Sequence, residues 1–176
     1  MKNKLSAPAL IVPLIITTLT GCSMTDDNSD AIPSAGTATS REASDAMEKV
    51  SSGIYDLLGI KGKASDSRPT VLDCPGKDKK TYFRILHPWS FVPASASDLD
   101  VAMERLKTEL PKDGWEIVDY GPDTSKNKNI NLTADNDRKK VSVKAIAMAK
   151  DEPPLLTLDI ISGCYKVPEG QEVERF

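Results

Sequence analysis

Two stretches of alternating apolar residues, Ile130-Leu132-Ala134 and Leu156-Leu158-Ile160, limit what this chain can fold into more than any other feature. Alternation at a period of two puts the apolar side chains on one face of a β-strand, so each stretch needs a core on one side only. Residues 115–120 and 140–149 have similar strand character. The connections ADNDRK and KDEPP are turns by composition. Connections this short join neighbours antiparallel, which predicts a meander of up to four strands over 115–162. One more strand is expected earlier, in KTYFRIL at 80–86. Pro88 is expected to end it, because proline has no amide proton to give to a ladder.

A sheet with one apolar face needs a cover, and two helical patterns supply it. In residues 41–58, Ala43, Met47, Val50, Ile54, Leu57 and Leu58 recur at helical spacing, with Ser40 as the expected N-cap and Gly59 as the terminator. In the second, Ser97 is the expected N-cap and Asp100 stands three residues on, as in a capping box. Leu99, Met103, Leu106 and Leu110 line its inner face, and Pro111 with Gly114 stops it. The order α-β-α-β-β-β-β predicts an α+β fold: two helices packed on one face of a mainly antiparallel four- to five-stranded sheet. The alanines at 145, 147 and 149 either leave space in that core or let a helix approach closely.

The first 21 residues read differently. Lys2 and Lys4 form a basic head, an apolar stretch broken by Pro8 and Pro13 follows, and Leu19-Thr20-Gly21-Cys22 ends it. The apolar stretch is too short for a transmembrane helix, which needs about 20 apolar residues, and its layout is that of an export signal. Leu19-Thr20-Gly21-Cys22 resembles the lipobox of bacterial lipoproteins. That resemblance implies diacylation of the Cys22 thiol and cleavage between Gly21 and Cys22. Each buried methylene is worth about 0.8 kcal/mol, so two acyl chains anchor stably. Residues 22–40, polar and small in composition, are expected to form the lipidated cysteine and a flexible tether with a reach of about 20–25 Å. A single domain is then expected over 41–167 and a tail over 168–176.

Export constrains partners and redox chemistry. The chain carries 23 basic and 26 acidic residues. Loss of Lys2 and Lys4 with the leader leaves 21 against 26, a net charge of −5. That balance argues against nucleic acid as a partner, since nucleic-acid binding calls for a basic face. With Cys22 lipidated, Cys74 and Cys164 remain as a pair in an oxidising compartment, where a disulfide is expected. A bridge closing about 90 residues stabilises by roughly 4–5 kcal/mol in the chain-entropy description. The rival reading, two thiols in a redox or metal site, lacks CxxC spacing and has one histidine in the whole chain to draw on.

That histidine, His87, lies in LHPWSFVP. As a general base it would need a nucleophile and an orienting carboxylate, and Ser90 and Asp98 are near in sequence. Its other role is a structural hydrogen bond. Trp89 and Phe91, between Pro88 and Pro93, suit either a binding surface, because aromatics give large contact area at low entropic cost, or a cap on the core. Trp115 is expected to anchor the second helix to the sheet. Asp135, Asn136 and Asp137 lack the glycine and distant glutamate of a calcium loop, and read as a solvated turn. Asn131-Leu132-Thr133 matches a glycosylation sequon within a predicted strand. The sequence has no P-loop, GxSxG or HExxH. No cofactor, metal site or enzymatic activity is predicted.

Beyond the lipobox, LPKDGWEIVDYG and SGCYKVPEG resemble segments of small actinobacterial lipoproteins of uncharacterised function. That resemblance implies a helix ending in Gly-Trp before a meander, a cysteine closing the last strand, and a place on the outer face of the cell membrane. It implies no catalytic residues. The expected role is a non-enzymatic binding or interaction module, held at the membrane by its lipid and meeting an envelope protein. The alternative is a carrier of a small molecule or lipid, with a cavity between helices and sheet.

Overall fold

The computed structural model describes residues 32–176. The predicted leader, Gly21, Cys22 and the first part of the predicted tether lie outside the described residues. The elements are β1 (Ser34–Thr37), α1 (Ser40–Leu58), β2 (Gly62–Ala64), β3 (Thr70–Asp73), β4 (Tyr82–Pro93), α2 (Asp98–Glu109), β5 (Glu116–Pro122), β6 (Ile130–Asn136), β7 (Val141–Met148), β8 (Leu155–Ser162) and β9 (Cys164–Lys166). A 3-10 turn, Leu110–Asp113, follows α2.

The fold is α+β and its sheet is mostly antiparallel. The expected meander is present, with β5, β6, β7 and β8 paired in sequence. The sheet is larger than the four to five strands expected, and the element order differs accordingly. β4 is flanked by β8 and β9 on one edge and by β2 and β3 on the other, and β1 pairs with β9 in parallel. The extra strands, β1, β2, β3 and β9, are three or four residues long. Pieces that short carry no periodicity; β2, β3 and β9 exist because β4 offers them a ladder, and β1 because β9 extends that ladder to it. β1 also corrects the tether, whose residues 34–37 are part of the sheet.

Pro88 does not end β4. The strand runs on to Pro93, burying alternate side chains from Phe83 onward. The Pro88 carbonyl accepts from the Ser67 hydroxyl on the β2/β3 edge. The nitrogen of a strand residue points to the same edge as its carbonyl, so the missing proton of Pro88 falls in the gap between β2 and β3, where no ladder partner stands.

β8 and β9 are one strand interrupted at Gly163. The Gly163 amide donates to the Lys140 carbonyl at 2.8 Å, and the Cys164 amide donates to the Pro33 carbonyl at 2.8 Å. The ladder thus passes from β7 to β1. A Cβ at Gly163 would stand 2.4 Å from the Pro33 oxygen, so this crossing admits no side chain.

Both helices cover the same face. α1 lies on β4, α2 on β7 and β6, and the two touch each other. Met47, Ile54 and Leu58 of α1 and Leu99, Met103 and Leu106 of α2 are buried against Phe83, Ile85, Leu132, Leu156, Leu158 and Ile160 of the sheet. Ala145 and Ala147 are buried beneath α2, where small side chains let the helix come close. Ala149 lies beyond the end of β7.

The caps differ from expectation. Thr39, not Ser40, caps α1, in a capping box with Glu42. Ser97 makes no capping hydrogen bond; its backbone is already helical and its hydroxyl pairs with that of Ser95 at 2.9 Å. At the other end of α1, Gly59 has φ +60° and Arg105 of α2 donates from Nε to the Leu57 carbonyl at 3.0 Å. A cation from the neighbouring helix thereby occupies the carbonyl end of α1. Trp115 is buried directly after Gly114, its amide donating to Leu110. Tyr120 of β5 donates to Glu104 of α2 at 2.7 Å, and Lys107 Nζ stands 4.2 Å from the centre of its ring.

The Cys74–Cys164 disulfide joins the end of the β3 segment to the start of β9, with 5.9 Å between α-carbons. Residues 168–176 have no regular structure but are not a loose tail. The Val173 amide donates to Lys80 at 2.8 Å, Arg175 pairs with Asp73 at 2.5 Å, and Glu174 pairs with Arg41 of α1.

Candidate functional site

The edge of β4 that β2 and β3 leave uncovered is the most unusual place in the fold. β3 pairs with Phe83–Leu86 and β2 with Phe91–Pro93, so residues 87–90 face the connection between them. Serines of that connection take the place of a strand. The Ser65 amide donates to the Ser90 carbonyl at 2.8 Å, the Ser90 amide donates to Ser65 Oγ at 3.0 Å, and Ser67 Oγ donates to Pro88. A polar, glycine-poor segment is thereby fixed beside the strand without extending the ladder.

His87, Trp89 and Phe91 share the helix-covered face of β4 because they are two residues apart. The last two turns of α1 pass over them. A cleft of about 300 Å³ opens between Ser51, Ser52, Tyr55 and Asp56 of α1, Ala64, Ser65 and Ser67 of the connection, and His87 and Trp89 of β4. Tyr55 is 43% exposed, and its ring lies 5.9 Å from that of Trp89 and 6.0 Å from that of Phe91, tilted to both. The structure therefore brings His87 and Trp89 into one cleft and buries Phe91, at 1% exposure, in the core. The stretch from Pro88 to Pro93, expected to lie beyond the end of the strand, is part of β4.

His87 and Trp89 are each 8% exposed. His87 Nε2 lies 3.1 Å from the Ser67 carbonyl. A carbonyl only accepts, so Nε2 carries a proton and donates. Among the described residues nothing pairs with His87 Nδ1 or with Trp89 Nε1, a donor, and both atoms are shielded from bulk solvent. An unsatisfied buried polar atom costs about 1–3 kcal/mol, and here two such atoms stand on neighbouring side chains of one cleft. The lining carries one carboxylate, Asp56, and no lysine or arginine.

The structure does not bring the sequence-predicted partners of His87 to its ring. Ser90 lies on the opposite face of β4 from His87, and Asp98 opens α2. Among the described residues no hydroxyl or carboxylate hydrogen-bonds to His87. Asp135 and Asn136, expected in a solvated turn, instead close β6; Asn136 is buried, donating to the Asp113 carbonyl and accepting from the Lys139 amide, while Asp137 pairs with Lys140 in the turn. These contacts organise a hairpin. Asn131 of the sequon lies in β6.

Sequence reading missed Tyr55 and the serines. Tyr55 falls outside the apolar stripe of α1, and a large aromatic on the solvent side of an amphipathic helix is the one signal that pointed to it. No family model matches the chain, and no curated protein or solved structure gives a significant match to it.

Proposed function

We propose that this chain is a membrane-anchored lipoprotein of the extracytoplasmic face, held by a diacylated Cys22, and that it serves as a non-enzymatic binding module of the cell envelope. The anchor half rests on Leu19-Thr20-Gly21-Cys22 behind a basic head and a short apolar stretch. The Cys74–Cys164 bridge supports an oxidising compartment. The observation that carries the binding half is the cleft in which Tyr55, Trp89 and His87 meet, with two buried polar atoms lacking partners. Aromatic walls with a few convergent polar groups are the composition of ligand sites. The engagement of His87 with a main-chain carbonyl supports binding over catalysis.

The second reading is a carrier of a small molecule or lipid, with its cavity between helices and sheet. The observation that favours a small ligand is again the cleft under α1, whose size suits a small ligand and not a lipid chain. Where α2 meets the sheet, Leu99, Ala102, Leu106 and Ala145 are all fully buried, and this close packing supports a module that binds at its surface.

The anchor is tested by feeding cells a clickable fatty acid. The wild-type protein takes up label and sediments with membranes, and the Cys22→Ala variant takes up none. Label on that variant, or its normal processing, would sink the lipoprotein reading. An envelope protein partner is sought by crosslinking on whole cells, with Cys22→Ala as the control.

A further inference from the structure

We propose that the face of the sheet turned away from the helices binds a second copy of this chain, with Lys144 of each copy paired to Asp159 of the other. The inference goes beyond the binding reading above and uses none of the cleft under α1. Both helices lie on one face, so the other face of β4, β8, β7 and β6 has no helix on it. Its centre is a cross-strand row in which Pro88 stands opposite Asp159, Asp159 opposite Lys144, and Lys144 opposite Thr133. Partly exposed apolar residues lie to either side along the strands, Leu86 beside Ile161 and Met148 beside Leu155. A groove of about 300 Å³ opens between Leu86, Ile161, Lys144 and Asp159. Lys144 and Asp159 are both exposed, and among the described residues neither makes an ion pair.

The charges select the occupant. A patch with one cation and one anion at its centre favours neither an acidic nor a basic partner, but it complements itself after a half-turn. Two sheets packed face to face keep their strands nearly aligned. A two-fold axis between the sheets, along the strands and midway between β7 and β8, sets each β7 residue over the β8 residue with which it is in register. Lys144 then faces the second copy's Asp159, and Asp159 faces the second copy's Lys144. Met148 faces Leu155 by the same rule. An axis across the strands at this row would set Lys144 on Lys144, like on like. The axis along the strands also places Pro33 of both copies at one end of the pair, because the Pro33 carbonyl accepts from the Cys164 amide just past the end of β8. On the anchor reading both chains then start toward one membrane, and confinement there raises the effective concentration of each copy for the other.

The test mixes unlabelled and heavy-nitrogen-labelled full-length protein on phosphatidylcholine vesicles and adds a carbodiimide, which joins an amine to a carboxylate in contact with it. Peptides linking Lys144 to Asp159 with one label each are expected, because only a contact between copies makes them. Lys144–Asp159 links within single copies alone, or mixed links elsewhere without this one, would overturn the proposal. Links from Lys144 to Asp26, Asp27 or Asp30 of the same copy would also overturn it and give the face to the chain's own N-terminal segment. Charge reversal is read by energy transfer between fluorophores at the C-termini. Lys144→Glu and Asp159→Lys are each expected to weaken self-pairing about tenfold, the effect of setting like charges together, with circular dichroism unchanged. A mixture of the two variants brings opposite charges together again and is expected to restore pairing. Pairing untouched in either variant, or no recovery in the mixture, would overturn the assignment. Protein that fails to float with the vesicles would count against the anchor alone, and the same crosslinks are then read in solution.

Discussion

Tyr120 ties α2 to the edge of the sheet through a hydroxyl that gives its proton to Glu104, and the arrangement leaves a signature in pH. Burial, then the hydrogen bond and the charge of Glu104, raise its pKa from 10.0 to about 12. The unfolded chain therefore loses this proton first as pH rises. The stability contributed by neutral Tyr120 is complete below pH 10 and is lost between 10 and about 12. Urea unfolding across that window is expected to show a steeper fall in midpoint for the wild type than for Tyr120→Phe; parallel falls would show that Tyr120 is not the group responsible. The residue scale is also where sequence reading was least secure. Thr39-Ser40-Arg41-Glu42 contains the capping-box spacing with Thr39 as its first member, one position before the residue expected. Ser97 had a suitable side chain and spacing, but Ser95 engages its hydroxyl, and composition holds no record of that competition.

Elements follow a different rule. The meander and the two helices were legible because a repeat of two or of 3.6 states which side of an element must be buried. β4 was legible only over its first half. A proline is a reliable stop when both edges of a strand are paired, and Pro88 is tolerated because of where β2 and β3 happen to end, which no local pattern encodes. The join of β8 to β9 depends in the same way on a partner far away in sequence. Gly163→Ala would drive a methyl against the Pro33 carbonyl, 2.4 Å away, and is expected to cost about 1–3 kcal/mol, as overpacking does. Gly121→Ala in β5 meets nothing within 4 Å and serves as the control. Equal urea midpoints for the two variants would show that the crossing of β1 over Gly163 is not a constraint. The candidate site was legible in part for the same reason: His87 and Trp89 were visible as residues, whereas their shared cleft exists only because the serine connection and α1 close on them.

At the scale of the molecule, one covalent bond and one parallel pair of strands hold the ends of the domain together. Cys74 and Cys164 were readable as a pair, being the cysteines left once Cys22 is assigned to the lipid. Their separation of 90 residues makes the bridge a large constraint on the unfolded chain. Replacing both by serine is expected to lower the unfolding free energy by about 2–5 kcal/mol, read by urea titration with and without reductant. If the wild type loses nothing on reduction, the bridge is not closed in solution. The same bond has a mechanical consequence. A pull applied at residue 32 enters through β1, which lies along β9, and β9 is bonded through Cys164 to Cys74 and laddered to β4 at Tyr82 and Phe83. Force arriving at that end is therefore passed directly into the central strand, and the helix that forms one wall of the cleft is spared the load.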